Sequence, residues 1–139
     1  MAISFTSKTS FDLKNRLLVK SWIKQVIEKE GKKIGDISYV FCDDEQELEI
    51  NKQFLNHNFF TDIITFDYVE KNVISGDIFI SLDRVKENSK IFETDFNNEL
   101  FRVIIHGILH LLGYEDKTLE EKNLMREKEN ECLKMINEK

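Results

Sequence analysis

Two imidazoles one helical turn apart, followed by a glycine and then an acid, are side chains that can grip a metal ion. His106, His110, Gly113 and Asp116 carry that pattern, H-x3-H-x2-G-x2-D, within 106-HGILHLLGYED-116. On a helix of about 100° per residue the two rings point about 40° apart. Phe101, Ile104, Ile105, Ile108, Leu111 and Leu112 cover the rest of the surface. The helix is therefore expected to be mostly buried, with one polar stripe. Gly113 can end it in a left-handed cap and turn the chain back. That return would bring Asp116 beside the rings. Two nitrogens, one carboxylate oxygen and an open fourth position make the arrangement of a catalytic zinc site. A histidine pair alone is more often two hydrogen-bonded core residues. Gly113 and Asp116 shift the reading towards a metal site, because a plain amphipathic helix needs neither.

The elements that must position these residues follow a β-α-β-α-β-β-α-α-α order. Ile3–Phe5 reads as a short strand. Ser10 caps a helix over about Phe11–Glu30, with Leu13, Leu17, Trp22, Ile23, Val26 and Ile27 on its buried side, and Gly31 ends it. Ile37–Cys42 is β-branched and aromatic, a strand. Asp43 or Asp44 caps a helix over about Glu45–Leu55 bearing Leu48, Ile50 and Phe54. Residues 55–60 form a loop. Residues 61–69 and 73–82 read as two strands joined by a turn, hence an antiparallel pair, with Gly76 at a bulge or close backbone approach. A short helix spans about Asp83–Lys90. Asp95 or Asn97 caps the histidine helix. Thr118 and Glu121 form a capping box that opens a last helix, about Leu119–Asn137, whose charges are expected to face solvent. The expectation is an α+β fold. One domain over residues 1–139 has a small mixed four-stranded sheet against about five helices, with the metal site at the end of the central histidine helix.

Composition narrows the class. With 139 residues, 41% apolar and eleven phenylalanines, the chain can bury a core without staples. No apolar run is long enough for a membrane span, and the N-terminus lacks a secretory pattern. Cys42 and Cys132 stand far apart with no CxxC partner, so neither a disulfide framework nor a thiolate zinc site is expected. A cytoplasmic location fits best. The net charge of −6 argues weakly against nucleic acid. Residues 1–33 nonetheless hold eight Lys and Arg against three Asp and Glu. This basic first segment suits a polyanion or an ordinary solvated surface equally well.

At HGILHLLGY the sequence resembles the YbeY family, bacterial metal-dependent endoribonucleases also described as rRNA maturation factors, with an HGxLHLxGYDH signature. Upstream, 51-NKQFLNHNFFTDIITF-66 and 76-GDIFIS-81 resemble further blocks of that family in the same order. The resemblance implies a single-strand endoribonuclease acting in rRNA maturation and ribosome quality control. Metal-activated water would attack an RNA phosphodiester. It implies one divalent ion, zinc first, on His106, His110 and Asp116, with RNA and ribosomal particles as partners. Two positions depart from the family pattern. Asp116 replaces its third histidine, a harder and negatively charged ligand that lowers Lewis acidity and widens the metal choice. Leu55 replaces an arginine suited to phosphate, a role leucine cannot take.

Around the three ligands, Glu99 and Arg102 lie on the histidine side of the helix and could fix an imidazole tautomer, or form an ordinary helix ion pair. Glu115 is expected to be exposed. His57 could contact phosphate. Thr61 and Asp62 begin a strand at the cleft. Two other classes compete. A metzincin-like protease would need a glutamate after the first histidine, and Gly107 stands there. A non-catalytic, metal-stabilised module that binds ribosomes or a protein would lose only stability on His110→Ala.

Overall fold

The computed structural model describes residues 2–55 and 61–137. His57 and the aromatics Phe59 and Phe60 lie outside them. The strands are β1 (Ile3–Ser7), β2 (Lys33–Cys42), β3 (Ile63–Asp67) and β4 (Val73–Ser81). The helices are α1 (Arg16–Lys29), α2 (Asp44–Leu55), α3 (Leu82–Ile91), α4 (Phe96–Leu111) and α5 (Leu119–Asn137). The sheet order is β1-β2-β4-β3. β1 and β4 run parallel to β2, and β3 runs antiparallel to β4. This is the expected α+β fold with a mixed four-stranded sheet and five helices.

Local chemistry explains the elements that hold the histidines. Asp95 accepts from the Asn98 amide at 2.7 Å and starts α4. The helix packs directly on the sheet at Gly107, where a Cβ would sit 3.0 Å from side-chain atoms of both Ile63 and Ile78. Tyr39, fully buried on β2, donates its hydroxyl to the Ile104 carbonyl at 2.8 Å and ties sheet to helix. At the other end, Gly113 adopts φ 103°. Its amide reaches the His110 carbonyl at 3.0 Å, and the Tyr114 amide reaches the Leu109 carbonyl at 3.0 Å. This is the paired bonding of a glycine-terminated helix, and it reverses the chain as expected.

The reversed chain enters α5 through reciprocal bonds. The Glu121 amide donates to the Thr118 hydroxyl and the Thr118 amide to the Glu121 carboxylate. α5 is then pinned to α1, because the buried Trp22 indole donates to the Cys132 carbonyl at 2.7 Å. Both cysteines are buried and free.

The first helix differs from expectation. It begins at Arg16, not Phe11, after Asn15 in a left-handed conformation with no side-chain cap. Residues 11–15 lie outside any helix or strand, and Leu17 is 82% exposed. Val19 takes the buried position instead. β2 starts four residues early, at Lys33, because Ile34 pairs with Ile74 before a register shift at Gly35 and Asp36. The irregularity therefore lies on β2. Gly76 opposite is a close approach, with the Phe66 carbonyl oxygen 2.6 Å from where a Cβ would stand. β3 is shorter than expected, since residues 61, 62, 68 and 69 lie outside it.

Candidate metal centre

His106 and His110 leave α4 on the same side, with ring centroids 4.5 Å apart and planes at 87°. Asp116 Oδ2 lies 3.4 Å from His106 Nε2 and 3.5 Å from His110 Nε2. One donor atom from each residue falls within 4.8 Å of the other two, so the trio could hold a metal ion. All three are half-buried, leaving one side open.

The opposite ring edges decide what these nitrogens can do. His110 Nδ1 lies 3.0 Å from the Tyr114 carbonyl, which can only accept, so Nδ1 carries the proton. His106 Nδ1 lies 2.6 Å from Glu129 Oε2. Burial lowers the His106 pKa, but the hydrogen bond and charge of Glu129, with Asp62 and Asp116, outweigh it and raise the value. Burial also raises the Glu129 pKa, yet bonds from His106 and Arg102 leave it below the usual carboxylate range. Glu129 is thus an ionised acceptor. Both Nε2 atoms face the Asp116 carboxylate. In the neutral Nδ1–H tautomer each Nε2 offers a lone pair, and a cation seated between the rings and the carboxylate would be held by all three. The backing of each ligating imidazole by an acceptor is the arrangement that orients such ligands. The donor set therefore fits a divalent ion of the zinc type.

No local motif marks Glu129. On a charged helix it reads as a solvated acid, but it is only 6% exposed. Its signal was positional: Met125, Glu129, Cys132, Leu133 and Ile136 share the buried face of α5. Arg102 donates to Glu129 at 2.8 Å and to Asn130 at 2.9 Å. It therefore reaches the site through Glu129, not through an imidazole. Glu99 is buried in the same cleft, beside Asp62, Arg102 and His106, and burial raises its pKa. Asp62 lines that cleft too, 3.5 Å from the Asn88 amide, and burial raises its pKa. Thr61 bonds the Ile63 carbonyl at 3.4 Å. Glu115 is exposed. Tyr114 donates its hydroxyl to Glu30, the residue that follows α1, at 2.7 Å. Gly107 faces the sheet, so a protease glutamate could not stand there without displacing Ile63 and Ile78.

Behind the cleft, α2 buries Glu47 to 2% exposure with Oε2 unpartnered among the described residues. Burial, with Asp62 and Asp44 nearby, pushes its pKa up to about 8. The folded protein then holds a proton that the unfolded chain releases above its ordinary value of 4.5. Stability should fall as pH rises from that value to about 8, by up to about 1.4 kcal/mol per pH unit. Glu47→Gln should raise the melting temperature clearly at pH 8 and little at pH 4. Equal shifts at both values would show that Glu47 does not ionise in this window.

An α+β domain that presents two backed imidazoles and a carboxylate on an open cleft has the frame of a metal-dependent hydrolase. Residues 3–137 match the family model described as Endoribonuclease YbeY, and the chain belongs to that family. A curated Endoribonuclease YbeY from Parabacteroides distasonis is 58% identical over 120 residues, which cover 86% of this chain and 84% of the relative. Another, from Flavobacterium psychrophilum, is 47% identical over 137 residues, 99% of this chain and 98% of the relative. The solution structure of TM1509 from Thermotoga maritima superposes with a TM-score of 0.68 at 28% identity, covering 97% of this chain and 89% of that one.

Proposed function

We propose that residues 1–139 act as one domain, a metal-dependent endoribonuclease that cuts single-stranded RNA during rRNA maturation and ribosome quality control in the cytoplasm. His106, His110 and Asp116 hold one divalent ion, zinc first. The observation that carries this reading is the fixed orientation of both imidazoles, Nδ1 bonded to Glu129 or Tyr114 and Nε2 directed at Asp116. Family membership supplies the substrate class. When bound, the ion would supply Lewis acidity toward a phosphodiester and a water molecule.

The protein's own groups do the rest. Glu129 and the Tyr114 carbonyl keep the ring protons away from the open face. Arg102 holds Glu129 in place. Asp62 and Glu99 supply buried carboxyl groups on one side of the cleft, each shifted towards its protonated form by burial. They stand where a proton could be taken up or released beside the reacting phosphate.

Chelation tests the reading. Protein loaded with one equivalent of zinc should cut ribosomal RNA in single-stranded regions. Stripping the metal should stop the cutting, and returning it should restore it. Cleavage that survives metal removal would overturn the proposal. So would loaded protein that binds ribosomal particles and leaves their RNA intact.

A further inference from the structure

Two hollows flank His106. One, of about 280 Å³, is lined by Asp62, Asn88, Glu99 and Arg102. The other, of about 450 Å³, is lined by Asp116, Leu119, Lys122 and Asn123. His106, Arg126 and Glu129 line both. A strand laid across His106 from one hollow to the other must therefore pass Arg126.

The cations along this path are not equivalent. Arg102 already bonds Glu129 and Asn130, and its side chain is 18% exposed. Arg126 is 54% exposed, and among the described residues its one ion pair, to Glu129, is 3.9 Å long, beyond hydrogen-bond reach. Its guanidinium donors remain open to a ligand. Lys122 is exposed one turn earlier on the same face of α5. The hollow beside α5 thus pairs Lys122 and Arg126 with Asp116 and Glu129. Of those two acids, one faces the imidazoles and the other is held by His106 and Arg102. The opposite hollow adds the carboxyl groups of Asp62 and Glu99, and its other cation, Arg102, is already engaged.

We infer that Arg126 and Lys122 form a phosphate-binding subsite on α5 that takes a phosphodiester of the RNA strand adjoining the one presented to His106, His110 and Asp116. The inference rests on the endoribonuclease reading. A guanidinium fork matches two phosphate oxygens, and a lysine beside it adds a point charge. Such contacts fix the register of the strand without reading its bases. The exposed Leu119 side chain on the same wall offers an apolar surface to a sugar or base.

The test compares zinc-loaded wild type, Arg126→Ala, Arg126→Lys and the Lys122→Ala/Arg126→Ala double variant. A short labelled single-stranded RNA serves for binding and cleavage. Arg126→Ala should raise KM about tenfold while kcat moves much less. It should also flatten the dependence of log affinity on log salt by about 0.7, one lost phosphate contact on a single strand. The double variant should flatten it further, and Arg126→Lys should recover most of the loss. Zinc stoichiometry and melting temperature should match the wild type throughout. If both alanine variants keep the wild-type KM and salt slope, the subsite is refuted while the nuclease stands. If Arg126→Ala loses zinc or stability, its role is structural and the subsite is likewise refuted. If the wild type neither binds nor cuts RNA, the nuclease reading falls and takes the subsite with it.

Discussion

His110→Ala is expected to reduce RNA cleavage by at least about 1000-fold, roughly 4 kcal/mol of transition-state stabilisation, and to release the metal. His110 sits near the C-terminal end of α4, half-exposed, with Nδ1 held by the Tyr114 carbonyl. Its removal would strip one of the three proposed ligands and leave the helix intact. The fold is set elsewhere, by Gly107 against the sheet, the Tyr39–Ile104 bond and the glycine-terminated turn at Gly113. The metal-free melting temperature should therefore change by only a few degrees. Cleavage by the purified variant, beside its metal content, checks this. A non-catalytic scaffold gives the opposite result, a loss of metal-dependent stability with no activity to lose. Cleavage within tenfold of wild type would exclude His110 as a ligand that the reaction needs.

Glu129→Gln should have the second-largest effect, and through two routes. Glutamine keeps the shape but not the charge. It is a weaker acceptor for His106, so metal affinity should fall about 10- to 100-fold. It also leaves Arg102 without its ion-pair partner. Breaking one side of a buried pair costs about 3 kcal/mol or more. Arg102 retains Asn130 and some exposure, so the low end applies. For a domain of this size that is a fall of about 9 °C in melting temperature, present with and without metal. Thermal unfolding and a competition titration with a zinc chelator measure the two effects separately. A variant as stable as the wild type, with unchanged zinc affinity, would show that the buried triad of Arg102, Glu129 and His106 carries neither load.

The contrast between His110 and Glu129 shows what a sequence makes legible. His106, His110, Gly113 and Asp116 lie within eleven residues, and helix geometry plus one glycine turn suffices to bring them together. Asp95, Thr118 and Glu121 were equally visible, because capping is a contact across three residues. Glu129 reaches His106 across 23 residues through the packing of α5 on α4, and no local pattern encodes that approach. Its place between Met125 and Cys132 on one helical face was the available hint. The start of α1 departs from the sequence pattern for a related reason. Leu13 is buried outside the helix and Leu17 is exposed within it, so an apolar stripe running through both continued past the true boundary. The parallel pairing of β1 and β4 with β2 joins strands far apart in sequence, and strand patterns alone do not specify their neighbours.

X-ray absorption at the zinc edge, on protein loaded with one equivalent of metal, tests most directly whether His106, His110 and Asp116 grip an ion. The expected spectrum shows two imidazole nitrogens at about 2.0–2.1 Å and carboxylate or water oxygens at about 2.0–2.2 Å, with no sulfur. A sulfur shell at about 2.3 Å, fewer than two imidazoles, or failure to retain a stoichiometric ion would contradict it.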